Sequence, residues 1–156
     1  MKHLKETMAA NPDYELVVVG HSLGAAVATL AAADLRTKGY PSATFYAFAS
    51  PRVANPALAR FITDQGRNYR FTHTNDPVPK LPLLAMGYVH VSPEYWITAP
   101  DNDTSVAPNQ VQVLEGEVNW NGNTGTGAPN PFDFSPHHWY FERTDGCIGP
   151  GLPLKI

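Results

Sequence analysis

Gly20-His21-Ser22-Leu23-Gly24 is the group in this 156-residue chain most suited to chemistry. It follows an apolar, β-branched run at 14–19 and precedes an alanine- and leucine-rich run at 23–38. A serine between two glycines at a strand-to-helix junction is a nucleophile elbow, a turn that lifts its hydroxyl above the strand. The tightness of such a turn predicts that a Cβ at Gly20 or Gly24 would clash. The Leu23 main-chain N–H falls at the helix start, where it can donate to an oxyanion. The chemistry would be acyl transfer with Ser22 as nucleophile. Without the strand and the helix, the same five residues are an ordinary surface turn.

A serine nucleophile needs a base, and the base needs a carboxylate to orient it. On such sheets the chain order is Ser, acid, His, with the groups gathered beyond the carboxyl ends of the strands. Asp34 and Asp64 fall on predicted helices and read as solvated charges. Asp76 directly follows the predicted strand at 68–73 and is the expected acid, although an Asx turn into Pro77 fits the same pattern. Among the histidines, His3 belongs to an exposed helix and His21 reads as packing beside the elbow. His73 precedes the acid, and His90 lies in an alternating run that suggests a half-buried structural role. His137 and His138 remain, and the residues alone do not choose between them.

The elements that must hold these groups follow from the pattern. Helices are predicted at 2–10, 23–38 and 56–64, the last with Asn55 as N-cap and Pro56 at its first position. Strands are predicted at 14–19, 43–49 and 68–73, the first two buried on both faces as in a parallel sheet. Strand, helix, strand, helix, strand describes βαβ units in one α/β domain. Beyond Pro79 the rhythm changes. GYVHVS, EYWIT and NQVQVLEG read as short, antiparallel strands, and the Asn-, Gly- and Pro-rich stretch 119–136 as a long loop. Fourteen of the 15 prolines lie at Pro41 or beyond, in keeping with a regular front and a looped back.

Charge and composition narrow the function. Eleven basic and 14 acidic residues give a net charge of −3, which disfavours a nucleic-acid partner. No apolar run approaches the length of a transmembrane segment, and the first residues carry no signal-peptide core. The single cysteine, Cys147, makes neither an internal disulfide nor a zinc site. No metal or cofactor is expected.

The motifs taken together resemble the class 3 lipases, the filamentous-fungal triacylglycerol lipases and their feruloyl esterase relatives. The resemblance rests on Gly20 to Ala25 running into ATLAAADLR, on Pro51-Arg52-Val53, and on Thr72-His73-Thr74-Asn75-Asp76-Pro77-Val78-Pro79. It continues through Gly87 to His90, Ser92 to Trp96, and His137-x-x-Tyr140-Phe141. It implies Ser22 as nucleophile, Asp76 as acid, and His137 rather than His138 as base. It also implies secretion and an ester or lipid substrate, met at a lipid–water interface. An apolar cluster around Val78, Leu81 and Pro82 would suit an acyl chain.

The resemblance covers only the C-terminal half of the family's α/β-hydrolase fold. Residues 1–156 therefore read as a partial domain lacking the lid, the first strands and the second oxyanion donor. Cys147 would lack its N-terminal partner. The expected function is carboxylic ester hydrolysis of the lipase type through an acyl-enzyme. The alternatives are a feruloyl or short-chain esterase, and a non-catalytic lipase remnant that binds lipid or another chain. Asn102-Asp103-Thr104 is a glycosylation sequon in a predicted loop.

Overall fold

The computed structural model describes residues 1–127 and 132–144. Cys147 lies outside the described residues. Five strands form the main sheet in chain order: β1 (Val17–His21), β2 (Thr44–Phe48), β3 (Asn68–His73), β4 (Glu94–Ile97) and β5 (Val111–Leu114). The first four run parallel and β5 pairs antiparallel with β4. The helices are α1 (Lys2–Ala10), α2 (Leu23–Thr37) and α3 (Pro56–Asp64). A second, two-stranded piece joins β6 (Trp139–Tyr140) to β7 (Glu142–Arg143).

Helix α2 lies against the sheet because its inner face is small. Ala25, Ala32 and Ala33 pack with Phe45, Ala47, Ile62 and Val91 in one core cluster. Arg36, in the last turn of α2, is buried. Its guanidinium donates to the Ala43 and Arg67 carbonyls and to Asn68 Oδ1, and lies 5.5 Å from the Phe45 ring centroid. Asn55 caps α3 as its type predicts, accepting the Leu58 N–H at 2.9 Å.

Three expectations change. First, β1 is not buried on both faces: among the described residues it is the edge of the sheet, and Val17 and Val19 are exposed. Second, GYVHVS forms no strand, only a single bridge between Ala54 and Val89. Its N–H groups go to unrelated partners, Val89 to Ala54 and His90 to Glu117. Third, the EYWIT strand is parallel to its neighbour β3, and within the main sheet only β5 is antiparallel. The 74–93 connection makes this crossover with short 3₁₀ turns in place of a long helix.

Candidate active site

The N–H of Ser22 donates to Phe48 O at the carboxyl ends of β1 and β2, and the residue adopts φ 56°, ψ −128°. A non-glycine residue in that region is held there only by its surroundings. Gly20 supplies much of the constraint. A Cβ on it would run into the Gly24 carbonyl and come within 2.6 Å of Ala25 N. Gly24 does not share the role, because a Cβ there meets nothing within 4 Å. The clash expected at both glycines therefore exists at one, since the turn closes on the strand side only. Leu23 opens α2, so its N–H has no partner within the helix.

Asp76 follows β3 in a turn closed by its own N–H to His73 O at 2.9 Å. Its side chain is fully buried, and three donors converge on it. Val78 N–H reaches Oδ1 at 2.9 Å, Tyr140 OH reaches Oδ2 at 2.6 Å, and His137 Nδ1 lies 3.0 and 3.1 Å from the two oxygens. A carboxylate only accepts, so Nδ1 carries the hydrogen and Nε2 keeps its lone pair. That Nε2 stands 2.9 Å from Ser22 Oγ. The structure brings Ser22, Asp76 and His137 together in one hydrogen-bonded line. The His138 ring lies apart from this line, its centroid 5.9 Å from that of His137.

A second polar layer lies behind the carboxylate. Asn123 is buried and its Nδ2 donates to the Asp76 and Thr74 carbonyls at 3.0 and 3.3 Å. Its own N–H donates to Glu94 Oε1, which also accepts from Thr72 Oγ1 at 2.5 Å. Glu94 Oε2 is 3.8 Å from the buried Arg70 guanidinium. Burial, then the nearby Asp76 charge, pushes the Tyr140 hydroxyl well above its ordinary range, so it stays protonated and keeps donating. Sequence reasoning missed Asn123 because a stretch rich in Asn, Gly and Pro reads as solvated loop. Tyr140 was visible only as part of an aromatic motif, with no signal for its bond to Asp76.

His21 also does more than pack. Its Nε2 is 2.9 Å from the His137 main-chain oxygen, and its ring centroid is 4.7 Å from that of His137. Burial lowers its pKa from the ordinary value. His90 is buried rather than half-buried and donates to Pro79 O at 2.7 Å.

Beside the line lies a cavity of about 470 Å³, walled by Pro77, Leu81, Leu83, Phe132 and Phe134 with Lys80 and Thr126 at its side. Pro77 adjoins Asp76, and the Phe134 ring centroid is 6.4 Å from that of His137. Of the three residues expected in an apolar cluster, Leu81 lines this cavity. Val78 and Pro82 do not: Val78 turns its N–H to Asp76, and Pro82 gives its carbonyl to Arg52. Among the described residues no group of His, Cys, Asp and Glu could hold a metal ion, and no helix is long and apolar enough to cross a membrane.

Residues 1–86 match the family model described as lipase (class 3). The chain is 68% identical over 155 residues to a protein named secreted mono- and diacylglycerol lipase A from Penicillium cyclopium, covering 99% of this chain and 50% of that one. It is 44% identical over 147 residues to secreted mono- and diacylglycerol lipase 1 of Fusarium solani, covering 94% and 43%. Among solved structures, the mono- and diacylglycerol lipase of Aspergillus oryzae superposes with a TM-score of 0.89 at 65% identity, covering 94% of this chain and 54% of that one. The chain thus spans about half the length of the curated relatives it matches.

Proposed function

Since the chain belongs to the class 3 lipase family, we propose that it carries the reacting groups of a lipase-type serine ester hydrolase. Its substrate class is the fatty-acyl esters of glycerol. Ser22 is the nucleophile, His137 the base, Asp76 the orienting acid and the Leu23 N–H an oxyanion donor. One observation carries the reading: the line from Ser22 Oγ through the His137 ring to Asp76, with 2.9 Å on one side and 3.0 Å on the other.

In the reaction Ser22 Oγ bonds to the ester carbonyl carbon while its proton passes to His137 Nε2. The carbonyl oxygen takes the negative charge, against the Leu23 N–H. Collapse breaks the bond to the alcohol, which leaves with the proton from His137. Water then attacks the acyl-Ser22 by the same route, giving a fatty acid and restoring the serine. Asp76 holds the imidazole tautomer and balances the imidazolium. The apolar cavity between Pro77 and Phe134 is where the acyl chain would lie, with Leu81 and Leu83 against it.

Relatives named for mono- and diacylglycerols favour those esters over hydroxycinnamates, and their names also favour secretion. Hydrolysis of dioleoylglycerol, triolein and methyl ferulate by the chain and by Ser22→Ala tests the reading. Turnover of the glycerides that disappears in the variant is expected. Turnover of methyl ferulate alone would move the assignment to the feruloyl esterases. No turnover, together with no labelling of Ser22 by a fluorophosphonate, would leave a non-catalytic chain.

A further inference from the structure

His73 ends β3 and is only 2% exposed. Its Nδ1 lies 3.0 Å from the Pro136 main-chain oxygen, and its Nε2 lies 2.8 Å from that of Ala99. A carbonyl oxygen only accepts, so the bond to Pro136 O requires the hydrogen on Nδ1. Asp101 Oδ1 lies 3.7 Å from Nδ1.

What this bond holds gives it meaning. Pro136 immediately precedes His137, and the two share a four-residue 3₁₀ turn, Ser135–His138. Such a turn is too short to fix a side chain by its own hydrogen bonds. The proline has no N–H, so its carbonyl is the only polar main-chain group it offers. That carbonyl accepts from His73 and from the Trp139 N–H, His21 takes the carbonyl of His137, and the His137 N–H donates to Phe134 O at 3.0 Å. The segment that carries the imidazole is therefore tied to β3 by His73 and to the elbow by His21.

We propose that His73 is a positioning residue for the reaction, fixing His137 between Ser22 and Asp76 through its Nδ1–Pro136 bond. The proposal rests on the roles assigned to those three residues above. Misplacing a reacting group by about 1 Å can cost on the order of 10²-fold in rate.

A matched pair of variants separates positioning from general support. In His73→Asn the amide nitrogen falls near the position of Nδ1 and can still reach Pro136. In His73→Gln it falls near Nε2 and can reach only Ala99. Each variant loses one hydrogen bond and Asn leaves the larger void, so a purely structural His73 predicts that His73→Asn is at least as damaging as His73→Gln. The assay is kcat and KM for 4-nitrophenyl butyrate with the 156-residue chain, together with the far-downfield proton resonance of His137 Nδ1–H. We expect His73→Gln to lower kcat by about 10²-fold with KM little changed and to lose the resonance. We expect His73→Asn to rescue kcat to within about threefold and to keep the resonance. Equal losses, or the reverse order, overturn the proposal.

If the parent chain turns nothing over, the resonance decides alone. Its loss in His73→Gln only would uphold the positioning role while the proposed function fails, and its survival in both variants would overturn the role. Should His73→Gln not fold, the half-buried Asp101→Asn serves as the second variant. It weakens Nδ1 as a donor and is expected to lower kcat about threefold at constant KM and to broaden the resonance. No change in either readout would overturn the proposal.

Discussion

The front of the molecule, residues 17–73, and the back, residues 74–143, place the proposed reacting groups by different physics. Ser22 is placed by backbone geometry: a strand end, a turn that only glycine at position 20 permits, and a helix start. Asp76 and His137 sit on turns and are placed by buried side chains that bond to the main chain or to the carboxylate. Asn123 and Tyr140 hold the acid, and His73 and His21 hold the segment of the base. A site built the first way resists loss of a hydrogen bond but not an added methyl group. A site built the second way has the opposite weakness.

The premise that both regions meet in one reaction is the first thing to break. Ser22→Ala in the front and Asp76→Asn in the back are each expected to lower kcat/KM for 4-nitrophenyl butyrate by about 10⁴-fold. Circular dichroism should show both variants folded. A loss confined to one of them would separate the two regions.

Gly20→Ala attacks the front where it is weakest. The added Cβ overlaps the Gly24 carbonyl, main chain against main chain, with no flexible side chain to yield. Destabilisation of about 3 kcal/mol or more is expected, seen as a lower urea midpoint at an unchanged slope. Gly24→Ala meets nothing within 4 Å and should lie within about 0.5 kcal/mol of the parent. Similar midpoints for the two would refute the turn geometry.

Tyr140→Phe probes the back by removing the hydroxyl that donates to the buried carboxylate and also bonds to the His73 main chain. A loss of about 1.5–3 kcal/mol in chemical denaturation is expected, with a drop in kcat of roughly 10-fold. Unchanged kcat would mean that Val78 N–H and His137 alone position Asp76.

The smallest effect is the pH dependence of stability. Burial first, then the Arg70 charge, holds the His90 pKa well below its ordinary value. The folded state therefore excludes a proton that the unfolded chain binds below about pH 6.5. The unfolded state binds more protons, so this contribution is complete above about pH 6.5 and fades as pH falls, by at most about 1.4 kcal/mol per unit. His21 acts in the same sense through a smaller shift. Thermal melts at pH 7.5 and 5.0 should differ less in His90→Gln than in the parent. His21→Gln should recover less of the difference.

The sequence determined most of the front. Alternation of apolar runs with helix signals encodes βαβ units locally. The cap at Asn55, the breaks at glycine and proline, and the Gly-x-Ser-x-Gly spacing all act within a few residues. Asp76, the proposed acid, was legible too, because a strand end followed by Asp and Pro is a local pattern. The tertiary structure alone decided the rest. It put β1 at the sheet edge, because burial of a strand depends on what lies beside it and not on its own residues. It turned Asn123, in a stretch that reads as solvated loop, into the buried support of Asp76. It placed His137 rather than His138 against Ser22, since neighbours of the same type in one short turn differ only in the direction they face. Hydrogen bonds such as His73 to Pro136 join residues 63 positions apart, and no local pattern in the chain records them.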